Sequence, residues 1–296
     1  MSDIHYFIAW NEARIDIVKK YILKYPKKFN SIHKLLKFNI YNTKASVSYE
    51  KLEPWIQWTS IYTGLEPSSH QIENVSDKNL INLRNIFEDR NSTLCKIGVL
   101  GMMNYYRDIK LDKSNAVFIA DPWSDLESDY SLFSKLFSKF LKSVINNNTN
   151  KGFKLIDIFM IIFLIINTRS AKNICYLIFL GIKGLKKRWY RALFLDALIG
   201  FNVGKILKRD NTKIGLVFFN GLAHIQHHYF HNCEFTESRT KNPEWYIGQD
   251  QDPFYDSLIV YDRIYENILR LTDNIFICTA LSQIENKDTI FYWRLK

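Results

Sequence analysis

The chain predicts an α/β fold, a three-layer α/β/α sandwich around a mostly parallel central sheet, on three observations. Short apolar runs rich in β-branched and aromatic residues recur along it, stretches of helical periodicity separate them, and charge, Gly, Pro or Asn bounds each run. Repeated strand, helix, strand order closes through crossovers, and strands that are apolar throughout belong to a sheet covered on both faces.

Ile4–Trp10 is the first β-prone run. Ile15, Val18, Ile22 and Tyr25 then repeat at helical spacing, and Pro26 stops the segment because it has no N–H to donate. Helices are expected over Ile56–Tyr62 and Asn79–Phe87, strands over Ile97–Leu100 and Ala116–Ala120, and a helix over Tyr130–Ile145. Much of 153–208 reads as helix and is too long for an ordinary crossover, so 150–210 is expected to be a helical insertion over the catalytic edge. Ile214–Phe219 is a strand, Asp256–Thr272 a helix and Ile275–Ala280 a strand, and the aromatic ending within 289–296 reads as part of the sheet. No Pro-, Gly- or Ser-rich tract marks a boundary, so residues 1–296 read as one domain. Its 21 Phe, 17 Tyr and 7 Trp within 47% hydrophobic content suffice for a large core.

A net charge of +10 favours anionic partners, but the excess is diffuse. Its densest patches are Lys19-Lys20, Lys27-Lys28, Lys183–Arg191 and Lys205–Arg209, which carry no signature of a nucleic-acid module and read as solvated helix faces. Cys95, Cys175, Cys233 and Cys278 lie far apart without a CxxC spacing, and the amino terminus lacks the basic and apolar regions of a secretory signal, which together point to a reducing cytoplasm. The apolar runs 155–166 and 174–182 fall short of the roughly 20 residues that a spanning helix needs, and Asp157 interrupts the first. They read as buried helices, with peripheral contact of 155–191 with an anionic membrane surface as the alternative that Lys183–Arg191 suggests.

His224, His227, His228 and His231 fall within eight residues directly after Ile214–Phe219. Ligands gather at the carboxyl ends of strands in open α/β sheets, so imidazoles there can hold a metal, an anion or a proton. On a helix, His224 shares a face with His228 and, nearly, with His227. Trp55 and Trp58, three apart, either pack in the core or stack on a sugar ring or base.

The segment Glu53–Ile72, with Thr63-Gly64, Pro67 and His70 in order, resembles the helix and turn of the alkaline-phosphatase-like superfamily of phosphodiesterases and sulfatases. Ile97–Gly101, Asp121-Pro122-Trp123, Phe219–Tyr229 and Tyr261–Ile264 extend the resemblance in order along most of the chain. A divergent bacterial branch with Pro-Trp-x-x-Trp and Ala-His-x-Gln-His segments, associated with surface-polysaccharide loci, is the more similar one.

The resemblance implies a phosphoester hydrolase or phosphoryl transferase acting on a phosphorylated glycan or nucleotide-linked precursor. It alternatively implies an inactive binding or scaffold protein of the same fold in polysaccharide biosynthesis. Superfamily members hold two divalent ions, usually zinc, around a hydroxyl or modified-Cys nucleophile. Here Asn11 and Glu12 stand at the first metal position, His224 at another, and Ala280-Leu281-Ser282-Gln283 where Ser-Asp-His-Gly is expected. Leu281 cannot ligate, so one divalent ion, zinc or manganese, is expected on Glu12, Asn11 and His224 instead of two zincs. The superfamily's last histidine would lie beyond Lys296. Pro54 aligns with the nucleophile and has no hydroxyl, which leaves Thr59 or Ser60, Thr59 the better candidate, with a plain place in the helix, its hydroxyl satisfying local backbone groups, as the alternative reading. His227 is the expected proton carrier, and Trp55, Trp58, His70 and His228 the expected substrate contacts, with orientation of its loop the alternative role for His70. Asp262 is expected to pair with Arg263 or a nearby lysine.

Overall fold

In the first strand, β1 (His5–Trp10), alternate side chains enter two different cores: Tyr6, Ile8 and Trp10 on one face, Phe7 and Ala9 on the other. This continuous burial is the reason the run is apolar throughout. The structure is a computed structural model that describes residues 4–45, 47–48, 52–87, 96–108, 116–146, 154–168, 170–208, 212–237 and 241–284.

With β2 (Lys96–Leu100), β3 (Phe118–Ile119), β4 (Thr212–Phe219) and β5 (Ile275–Cys278), β1 forms a five-stranded parallel sheet in the order β3-β2-β4-β1-β5. Helices cover both faces, giving the α/β/α sandwich. The chain leaving β1 crosses β4 to reach β2, and the chain leaving β4 crosses β1 to reach β5. Two neighbouring central strands thus send their connections in opposite directions, which opens a crevice at their carboxyl ends.

On one face lie α1 (Ile15–Lys24), α2 (Asn30–Leu35) and, after α3 and α4, the helices α5 (Leu132–Asn146), α6 (Leu155–Asn167), α7 (Ala171–Lys186), α8 (Trp189–Ile206), α9 (Gly221–Tyr229) and α10 (Pro253–Leu269). The opposite face is covered by α3 (Pro54–Thr63), whose Trp58 and Tyr62 pack on Phe218 and Tyr105, while α4 (Pro67–His70) is a single turn beyond it.

Several boundaries differ from expectation. The helix expected over 79–87 is a 3₁₀ turn, Lys78–Asn82, that Asp77 starts by accepting from Asn79 N–H and that ends where Leu83 turns extended. Within 116–120, Phe118–Ile119 alone forms the ladder, and β5 stops at Cys278, two residues before Ala280 adopts a left-handed φ of 59°. α10 starts early because Asp252 accepts from Tyr255 N–H and Pro253 occupies the first turn. The aromatic segment 289–296 and Cys95 lie outside the described residues.

The expected insertion at 150–210 is not uniform. α6 and α7 lie to the outside, whereas α8 is buried along nearly its whole length and belongs to the core layer. Gly200 permits that: a Cβ there would meet Ile264 Cγ2 of α10 at 2.5 Å. Asp157 does not break its apolar run; it accepts from Lys154 N–H at 3.0 Å and from Ser143 Oγ at 2.8 Å, so it caps α6 and ties it to α5. No helix among the described residues is long and apolar enough to cross a membrane.

Candidate functional site

The crevice between β1 and β4 is closed at its floor by amides. Asn11, immediately after β1, donates to Asn220 Oδ1 at 2.8 Å, immediately after β4, so one hydrogen bond joins the two strand ends. Trp58 Nε1 donates to Asn11 Oδ1 at 2.8 Å and fixes that amide from the α3 side.

Glu12 follows with a left-handed φ of 57°, a conformation that costs a non-glycine residue roughly 1–2 kcal/mol. Neighbouring groups hold it there. Its N–H donates to Thr279 O at 3.0 Å at the end of β5, and its carbonyl accepts from Gln226 Nε2 at 2.8 Å on α9. The strained turn points the buried carboxylate into the crevice, with Oε2 3.2 Å from His227 Nε2 and Oε1 3.3 Å from Asn11 Nδ2. Gln283, beyond β5, donates to Glu12 Oε2 and lies 2.7 Å from His227 Nε2, so its amide is wedged between carboxylate and imidazole. Its own carbonyl accepts from Arg14 Nη1 at 2.9 Å.

The amino terminus of α9 faces the same crevice, where α/β proteins commonly bind phosphate. Here an internal carboxylate occupies it. Asp196 of α8 accepts from Gly221 N–H at 2.7 Å and from the Tyr261 hydroxyl, which itself accepts from Leu222 N–H at 3.1 Å. Complete burial outweighs these bonds and pushes Asp196 up to about 6. A Cβ on residue 221 would lie 2.7 Å from Asp196 Oδ2, so this approach requires glycine.

Helical spacing separates the histidines of α9. His227 turns to Glu12, while the rings of His224 and His228 lie tilted at 50° with centroids 4.6 Å apart, and His228 Nδ1 lies 3.1 Å from the Tyr246 hydroxyl. Above them opens a cleft of about 2600 Å³. Lys186, Lys187, Arg188 and Arg191 border it with positive charge, and Trp55, Trp123, Trp189 and Trp245 supply aromatic surface.

The structure thus brings Glu12, Asn11 and His227 together and places Trp55, His224 and His228 in the same cleft. Four expectations are corrected. Thr59 is buried inside α3 and its hydroxyl donates to Trp55 O at 2.8 Å, which is ordinary helix back-bonding and not a nucleophile's position. Trp58 is fully buried, so it positions Asn11 and presents no stacking surface. His70 is buried away from the cleft, accepting from Ile72 N–H at 3.0 Å through Nδ1 and facing Ser60 Oγ at 3.0 Å through Nε2. Burial lowers its pKa, and its role is to shape the turn after α3. Asp262 does not pair with Arg263; it accepts from Ser31 and Ile32 N–H at the start of α2, while Arg263 donates to Lys172 O. Asp121 likewise accepts from Trp123 and Ser124 N–H and anchors a loop at the cleft wall.

The donor set does not fit the two-metal plan. Glu12 and His227 converge as a pair, the Asn11 amide is committed to its neighbours, His224 lies against His228, and among the described residues no three His, Cys, Asp or Glu side chains form a group able to hold a metal. A catalytic zinc takes three protein ligands. Comparisons with protein-family models, curated proteins and solved structures give no match for this chain.

Sequence reasoning missed Asp196, Gln226 and Gln283. Asp196 stands alone in the apolar stretch Ala192–Ile199, and a lone acid there is a signal of a buried partner. Gln226 stands inside the histidine cluster. Gln283 follows Ala280-Leu281-Ser282, where no local pattern marks it.

Proposed function

We propose that the protein is a phosphoester hydrolase or phosphoryl transferase, similar to alkaline-phosphatase-like phosphodiesterases in fold and acting on a phosphorylated glycan or nucleotide-linked precursor. The observation that carries this reading is the Glu12–His227 pair, 3.2 Å apart at the switch point of the sheet and beneath a rim of Lys and Arg. The Glu12 carboxylate beside Nε2 orients the ring, which places His227 to take a proton from an attacking water or hydroxyl and return it to the leaving oxygen. Lys186, Lys187, Arg188 and Arg191 are the groups available to the phosphoryl oxygens. Trp55, partly buried and held by its Nε1 bond to Glu73 O, and the exposed Trp245 offer flat apolar surface to a sugar or base. Cys175, Cys233 and Cys278 stand outside any disulfide, which accords with action in a reducing cytoplasm.

The second reading is a binding protein without turnover, favoured by the position of Thr59: its hydroxyl is committed inside α3, and Pro54 and Leu281 stand at the other catalytic positions implied by the resemblance. Assay of an aryl phosphate and a phosphodiester separates the two. Hydrolysis that falls about 10²-fold or more in His227→Ala supports the enzyme. Absence of turnover combined with quenching of tryptophan fluorescence by a glycan phosphate supports the binding protein, and absence of both removes the two readings together.

A further inference from the structure

We propose that the outer face of α6 and α7 docks on the surface of an anionic lipid bilayer. The inference is independent of the chemistry assigned to the cleft. In α6 polarity is inverted: Asp157, the one polar side chain between Leu155 and Ile166, is buried, whereas Ile158, Phe159, Ile162, Phe163 and Ile166 are 41–67% exposed. A helix against water places its apolar stripe inward and polar residues outward. Here the outward side is as apolar as the inward one. α7 continues the surface with Ile178, Phe179, Ile182 and Leu185, each at least 46% exposed. Large apolar side chains left exposed on two successive helices mark an interface.

Charge identifies the occupant. Between 154 and 191 Asp157 is the single acid, and Lys172, Lys183, Lys186, Lys187, Arg188 and Arg191 accompany α7 and the start of α8. Lys183 Nζ lies 5.2 Å from the Phe179 ring centroid, so positive charge sits at the border of the apolar surface. Apolar side chains beside cations match the acyl boundary and phosphate layer of an anionic membrane. A second copy of the chain would bring two cationic borders together, which disfavours self-pairing. Crossing is excluded by length, since the 13 residues of α6 span about 20 Å at 1.5 Å per residue against a hydrocarbon core of about 30 Å. The cations that border the cleft stand at the end of α7, so docking sets the cleft beside the headgroups.

Flotation of the full chain with vesicles tests this. Binding to phosphatidylcholine–phosphatidylglycerol vesicles is expected to exceed binding to phosphatidylcholine alone by about tenfold or more and to weaken with salt. The double variant Phe159→Glu/Ile162→Glu, at positions already exposed, is expected to lose about tenfold or more in binding with unchanged circular dichroism. Leu23→Glu, at a still more exposed apolar position on α1, should bind as the parent does. Failure to float with anionic vesicles, equal loss in Leu23→Glu, or a dimer in sedimentation that the double variant dissociates would each overturn the proposal, the last by showing that the face joins two copies.

Discussion

Replacing Asp196 by Asn tests whether the crevice is built around an unfavourably buried acid. In the folded chain the carboxyl titrates at about 6 because burial raises it, against an ordinary value of 3.8, so the native state holds more protons than the unfolded state between those two pH values. Stability therefore falls as pH rises through this window, and the loss is complete above about pH 6. A shift of about 2 units corresponds to about 3 kcal/mol. Asn has the same shape and accepts from Gly221 N–H and the Tyr261 hydroxyl through Oδ1, but carries no charge to desolvate. The measurement is the difference in unfolding free energy between parent and Asp196→Asn, by urea titration at pH 4 and pH 7. Relative to the variant, the parent should be more stable at pH 4 than at pH 7 by about 2 kcal/mol, since the unfolded carboxyl is already more than half ionised at pH 4, every other titrating group cancelling in the difference. A difference independent of pH would refute a buried, protonatable Asp196, whatever its absolute size.

Two further substitutions test the walls of the site. Trp58→Phe removes the donor to the buried Asn11 Oδ1 and should cost about 1–3 kcal/mol for the unpaired acceptor, before any loss of packing, as read by urea unfolding. Little change in stability would mean that the Asn11 amide is not held from α3. His70 has a pKa lowered by burial, so its contribution to stability is present above its ordinary value of 6.5 and is lost as pH falls below it; protonation also removes the lone pair that accepts from Ile72 N–H. Limited proteolysis within 64–72 should accelerate on acidification below that value in the parent and lose this pH dependence in His70→Gln; a rate that stays flat with pH in the parent would contradict the buried neutral imidazole.

What could be read from the chain, and what could not, follows from the range over which each signal acts. The strands were legible because burial on both faces leaves a continuous apolar run, as in β1 and β4, and the parallel sheet followed from the segments between them. The histidine cluster falls at the crevice between β1 and β4 because α9 begins immediately after β4. Roles inside the crevice were harder, since they depend on partners far apart in sequence. Glu12 and His227 meet only through the pairing of β1 with β4, and Gln283 reaches them only because β5 lies against β1. Trp58 and Thr59 illustrate the same limit in reverse. Residue type suggested a stacking surface and a nucleophile, but the rotation of α3 turns both inward, where an indole N–H serves Asn11 and a hydroxyl serves the preceding turn. The α6–α7 face failed in the other direction: apolar runs of 12 and 9 residues read first as buried, because composition records how apolar a helix is but not which neighbour covers it. The placement of Asp157 resolves that case. A carboxylate in an apolar helix must find donors, those donors lie in α5 and at the start of α6 itself, and by turning that edge inward they commit the isoleucines and phenylalanines opposite to the outside.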